Sequence, residues 1–486
     1  MIELGQWAPD AGSIGKGQLR EARNVIPGKG YYGPWKAAAT VSDAVGARPV
    51  GLWSMRDAAL GVHTFAGFLA SLRERNSDGT WTDRSKVGGY SGLPTSRWRA
   101  AQYQNLCVAV NGVDANQVID LGVATAFSDL AGSPPVAKFV MTIGQFLAFG
   151  NTANSAAEIA WSGIGAPTEY SNPQQQAGAE TLGEGGPLTG MGSFQDVGTL
   201  FQEQLIRRMV YQGGGVVWDF NQVVEDKRGM PLNASGSQAK LGRHFFQRLS
   251  DGFYRYNDAE GAVPIGNERV DDWFLSDAPI GYWDRMSADI DPLRKLYVLC
   301  YASAQSGGTP DSLLVYNWSV NRWSYVRGTS CELVGRVLSP GYSLEDLDAI
   351  YGDLDSIPIS LDDPSLAGGA LTLGGMSATG AALEFSGANR EALIVLDDIS
   401  GGRSVINHQG ALPFVDASSF GYSVDYRLEP ADVVTTTDET TTKARGGWYQ
   451  RRATGRLLRP RFRIPAGATW TKFEGVDFNM AAESEL

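Results

Sequence analysis

Tyr316-Asn317-Trp318-Ser319-Val320-Asn321-Arg322-Trp323 sets a tyrosine and a tryptophan seven residues apart around a polar turn. Just upstream, the apolar run Leu296 to Tyr301 is joined to Ser312 to Tyr316 through Ser306-Gly307-Gly308. These runs are short, apolar and rich in β-branched or aromatic residues, and turn formers bound each of them. That pattern reads as consecutive hairpins.

The same punctuation recurs outward from this unit. Thr64 to Ala70 is followed by the turn Asn76-Ser77-Asp78-Gly79, and Asn105 to Val110 is closed by Asn111-Gly112, a strong hairpin signal. Phe139 to Phe149 breaks at Gly144; Arg208 to Tyr211 and Val216 to Trp218 flank Gly213-Gly214-Gly215. His244 to Arg248 and Gly252 to Tyr256 flank Ser250-Asp251. Hairpins thus return about every 40 residues between residues 47 and 330, six in number with room for a seventh. A period of about 40–50 residues marks a β-propeller. The Tyr316/Trp323 unit resembles a kelch-type blade, whose two rings pack between adjacent sheets. The competing reading is a β-sandwich with six similar hairpins.

Composition agrees with an all-β chain. Among 486 residues, 43% are hydrophobic and 19% charged, which excludes global disorder; 60 glycines and 13 tryptophans suit many turns and strands rather than a helical bundle. Expected units are an irregular arm over 1–45, in which only Gln18 to Asn24 reads helical, and a propeller of six to seven blades over 46–335. An acidic, Gly-rich segment over 336–390 then either connects or completes the propeller, and a C-terminal β-sandwich-like domain fills 391–486. Cys107, Cys300 and Cys331 are few and far apart, so reduced buried thiols are expected. No secretory leader and no membrane-length apolar run is read, so no membrane insertion is expected.

Charge is uneven. The net formal charge is −12, wrong for a general nucleic-acid binder. From Ala101 to Ile206 nine acids face Lys138 alone; Asp114, Asp120, Asp129, Glu158, Glu169, Glu180 and Glu184 are the candidates for an acidic, channel-facing wall. From Lys443 to Arg463 there are eight bases and no acid. Arg451, Arg452, Arg456, Arg459, Arg461 and Arg463 are the candidates for a partner interface, because the guanidinium fork suits carboxylates and phosphates. Arg459, Arg461 and Arg463 should share one strand face, with Pro460, Phe462 and Ile464 opposite. The bland alternative is a solvated sheet face whose arginines pair with local acids.

No catalytic set emerges, so no enzyme, cofactor or metal is expected. The histidines are His63, His244 and His408, and none stands at metal-ligand spacing from another His or Cys. Gly183 to Gly186 and Gly213 to Gly215 lack the Lys and Ser/Thr of a phosphate cradle. Asp346, Asp348, Asp353 and Asp355 suit calcium by ligand type but lack the EF-hand order. Ser77-Asp78-Gly79-Thr80-Trp81 resembles the Asp-box turn of sialidase propellers with one residue missing.

Two further stretches carry a resemblance. Leu19-Arg20-Glu21-Ala22-Arg23-Asn24-Val25-Ile26-Pro27, followed by Gly30-Tyr31, resembles the opening arm of tail nozzle proteins of short-tailed bacteriophages, also called tail tubular or packaged-DNA stabilisation proteins. Tyr342 to Asp348, Leu354 to Pro358, Ser360 to Pro364 and Gly368-Gly369 look like a motif of the same proteins, although Ala370 to Leu373 departs from it. Val217 to Phe220, Asp251 to Tyr254, Ile265 to Val270 and Trp273-Phe274 also fit. The resemblance implies a structural virion protein, assembled in the bacterial host cytoplasm. It implies a homo-oligomer, usually a hexamer, that meets a head-to-tail adaptor and carries fibres or spikes. Double-stranded DNA would pass through its ring without sequence-specific binding. An electronegative bore would suit such passage. The alternatives are a glycan-binding or glycan-cleaving propeller of a phage tail, lectin-like or sialidase-like, and a host-encoded kelch-like scaffold.

Overall fold

The computed structural model describes residues 1–12, 17–224, 236–237, 245–249, 251–338 and 371–485. Alternating and continuous apolar runs zip into antiparallel meanders, each strand pairing with the next in sequence. Among the described residues, six four-stranded sheets and the first four strands of a ten-stranded sheet form a seven-bladed β-propeller. The blades cover 49–83, 99–129, 137–181, 188–224, 236–264, 287–327 and 331–384. The first strand of each blade is the inner one, and the inner strands follow one another around the axis.

The opening stretch is the cross-strand pair of blade 6. Tyr316 faces Trp323 in register, with ring centroids 4.6 Å apart. Trp323 donates its indole N–H to the Ile265 carbonyl at 2.8 Å and packs on Phe253 of blade 5, while Tyr316 meets Phe246. Both rings therefore fill the space between blades.

Closure needs both ends of the chain. Leu371–Ser377 and Ala382–Glu384 follow the inner strand of blade 7, and the fourth strand is Ala39–Thr40 from the arm. The helical expectation for Gln18 to Asn24 is corrected: Leu19–Arg23 is a strand. Its charged residues mimic an amphipathic helix turn, yet Leu19 and Ala22, set three apart by a register shift between Leu19 and Glu21, are buried with the strand paired on both sides, and tertiary pairing overrides the local preference. Leu19–Arg23 runs beside blade 6 and pairs antiparallel with Ala392–Leu396, so blade 6 and one terminal sheet form a single ten-stranded sheet.

Asn24 then turns the arm through a left-handed backbone, φ 58°, which Asn tolerates better than most residues. It donates to the Glu391 carbonyl and accepts from the Arg327 N–H, pinning both units. Val25–Pro27 continues into the opposing terminal sheet with Tyr32–Pro34, Phe473–Glu485, Ser404–Val415 and Tyr449–Gly455. The two terminal sheets enclose Phe420, Tyr422, Phe462, Trp470 and Phe473, making a β-sandwich fused to the propeller.

Candidate functional site

The basic strand forms as expected. Leu457–Ile464 is central in its sheet, with Pro460, Phe462 and Ile464 buried and Arg459, Arg461 and Arg463 on the other face. Those arginines are paired. Arg459 grips buried Asp398 through two bonds of 3.0 Å, and Arg427 holds the same carboxylate. Arg461 meets Asp425 at 3.2 Å, and Arg463 bridges Glu439 and Glu391. Cross-strand register produces the second pairing partner: Asp425 lies opposite Arg459, one pleat from Arg461.

The rest of the basic set lies nearer the sandwich edge. Arg451 donates to the carbonyls of Asp438 and Glu439, and Arg456 to that of Gly402. Arg452 is exposed and lines, with Arg445, Arg451, Trp448 and Asp438, an open groove of about 750 Å³.

The acidic candidates do not gather at the propeller axis. Asp114 and Glu169 sit in loops, where they accept backbone N–H groups of Ser91 and Ser171. Asp120 ends a third strand and bonds Asn105. Asp129 and Glu180 lie on outermost strands, and Glu184 sits in the loop between blades 3 and 4. Glu158 is buried against Thr152 and faces no channel. Asp346 to Asp355 and His244 lie outside the described residues.

Arginines occupy the axis instead, and this corrects the expectation of an electronegative bore through the wheel. A pocket of about 280 Å³ is lined by residues on or just before the inner strands of six blades, including Trp53, Arg97, Arg99, Phe139, Asp289 and Arg336. Trp98 sets its geometry. A Cβ at Gly67 would stand 2.4 Å from the Trp98 ring, so glycine there lets the indole seat and donate to the Phe68 carbonyl. Its chain neighbours Arg97 and Arg99 are thereby fixed at the pocket wall. Below them buried Glu332 joins Arg48 and Arg285, and Arg336 pairs with Asp289 at 2.6 Å. Burial lowers Arg97 to about 10, helped by the Arg48 charge, and lowers Arg99 to about 9, helped by Arg97. Burial likewise pushes the Asp289 carboxyl above its usual range, against the pull of Arg336. The sequence reading missed this site. Its one local signal is the Arg97-Trp98-Arg99 triplet at a strand start.

Elsewhere His63 bridges Glu74 at 2.5 Å and Asp57 at 3.1 Å. The Asp78 carboxylate accepts from the backbone and hydroxyl of Thr80, holding a tight turn. His408 is buried and bonded to the Tyr422 hydroxyl, and desolvation lowers it to about 4. Among the described residues no group of three or more His, Cys, Asp or Glu side chains is arranged to hold a metal, and no helix is long and apolar enough to cross a membrane.

No protein-family model matches the chain, and no curated protein matches it in sequence. Solved structures similar to it include a chain of a mitotic checkpoint complex, at TM-score 0.39 and 9% identity, covering 64% of this chain and 90% of that one. Virginiamycin B lyase from Staphylococcus aureus aligns at TM-score 0.35 and 11% identity, covering 59% and 86%. YCF48 from Cyanidioschyzon merolae aligns at TM-score 0.38 and 11% identity, covering 62% and 91%. The class of protein is thus an all-β propeller with a fused terminal sandwich, defined by its own sheet topology.

Proposed function

We propose that the chain is a structural subunit of a bacteriophage tail: a homo-oligomeric nozzle ring below the portal and adaptor. The ring continues the DNA channel, retains the packaged genome and opens for ejection. One observation carries this reading. The stretches that resemble nozzle proteins lie up to about 250 residues apart, yet several converge in one core. The arm residues Leu19, Ala22 and Val25 share that core with Phe253, Ile265, Val270 and Phe274. Trp7 of the arm meets Trp273 edge to face and Tyr325 at a tilt, and Asp10 accepts from the backbone N–H groups of Asp272 and Trp273. The Tyr342 to Gly369 part of the resemblance lies outside the described residues.

The axial pocket admits a small molecule and no duplex. In this reading DNA therefore passes between subunits, along the outer edge of blades 2 to 4, where Asp129, Glu180 and Glu184 are exposed. Acidic walls repel the phosphate backbone and keep adhesion low. The adaptor would meet the open groove of Arg445, Arg451 and Arg452 rather than the paired Arg459. The test is electron microscopy of purified particles together with adaptor binding by wild-type and Arg452→Glu protein. A tail ring containing the chain, and a Kd weakened about tenfold or more, are expected. A monomer absent from particles would overturn the proposal.

The glycan-binding alternative is favoured by one observation, the arginines at the propeller axis, which suit a carboxylate-bearing sugar. Retention on an acidic polysaccharide column would support it.

A further inference from the structure

Arg97 is 6% exposed, and its guanidinium is only partly used. Nη2 donates to the Asp284 carbonyl at 2.7 Å, whereas Nε and Nη1 are buried with no hydrogen-bond partner. Arg97 lines two adjoining cavities, the axial pocket of about 280 Å³ and a second of about 380 Å³ that it shares with Arg99, Lys138 and Asn111. Buried cationic donors left without an acceptor are costly, and such groups in native proteins call for a partner. Of the nearby carboxylates, Glu332 takes Arg48 and Arg285 and Asp289 takes Arg336, while Asp284 lines the second cavity and its charge partly offsets that of Arg97 without bonding Nε or Nη1.

We propose that the axial pocket is an anion-binding site, in which Arg97 donates from Nε and Nη1 to a compact oxyanion of the phosphate or carboxylate class. Lys138 and the Arg99 guanidinium, which lies 4.5 Å over the Phe139 ring, add positive potential on the side of the second cavity. Pocket size limits the ligand to a small ion or one charged group of a larger one. The proposal does not rest on the ring assembly proposed above.

Calorimetric titration of the full chain at matched chloride tests this, with inorganic phosphate in one arm and glucuronate in the other. One saturable site per chain is expected. Arg97→Gln should weaken binding at least tenfold, Arg97→Lys should weaken it less, and exposed Arg403→Gln should leave it unchanged. Saturation by phosphate assigns an inorganic or phosphoryl source, and saturation by glucuronate alone assigns a sugar acid; either supports the site. Flat isotherms for both anions with wild-type protein overturn it, whatever the variants do, as does wild-type affinity in a folded Arg97→Gln protein.

Discussion

Two arginine-rich regions of this molecule behave in opposite ways. In the terminal sandwich, Arg459, Arg461 and Arg463 follow one another along a strand, and the flanking strands and loops hold a carboxylate for each. At the propeller axis, Arg97 and Arg99 are brought up against Arg48, Arg285 and Arg336 by separate blades, and the guanidiniums there outnumber Asp284, Asp289 and Glu332. The first cluster is dense in sequence and electrostatically quiet. The second is dispersed in sequence and carries surplus charge on largely buried side chains. Local charge density is therefore a poor guide to where a protein attracts anions; what matters is whether counter-charges arrive with the same elements.

The sharpest way to break this contrast is to remove the shared carboxylate of the sandwich. Asp398→Ala leaves Arg427 and Arg459 facing an emptied, buried position, and should cost about 3–5 kcal/mol, read from the shift in denaturation midpoint. A cost under about 1 kcal/mol would mean that the pairing is solvated and unimportant. A second comparison uses one substitution at two places. Arg459→Met should destabilise by about 1–3 kcal/mol, because Asp398 loses a charge-assisted partner. Arg97→Met, which removes a cation lacking compensation, should leave the melting temperature unchanged or raised. Parallel losses in both variants would erase the distinction between the regions.

The smallest effect concerns His63 in blade 1. Burial disfavours its charged form, but the hydrogen bonds and charges of Glu74 and Asp57 outweigh burial and raise its pKa above the ordinary value. Its charged form is therefore favoured more in the folded chain than in the unfolded one. This contribution is fully present below the unfolded pKa of about 6.5 and fades as pH rises through the folded value. Thermal midpoints measured from pH 6 upward should fall slightly in wild-type protein and less in His63→Gln. An equal slope in the two proteins would remove the bridge from the account.

Hairpin spacing was legible because it is a local property. Asn111-Gly112, Gly144 and Gly307-Gly308 mark turns by backbone chemistry alone, and the Tyr316/Trp323 pair declares its role through residues seven apart. The alternation of Arg459, Arg461 and Arg463 was equally readable, since a strand's period is two. Their partners were not. Asp398 precedes Arg459 by 61 residues and Glu391 precedes Arg463 by 72, and only sheet register brings them together. The arm was misread for the same reason: nothing within Gln18 to Asn24 reports that blade 6 and Ala392–Leu396 wait on either side.

The amino-acid order thus determined that the chain is a series of β-hairpins with an acidic middle and a basic end. Tertiary structure decided that the arm completes blade 7 and joins two units into one sheet, that the basic strand is neutralised, and that the axis carries arginine. The physical reason is distance along the chain. Turn chemistry and strand period act over a few residues, whereas closure of a seven-bladed ring and the field at its centre sum contributions from blades hundreds of residues apart.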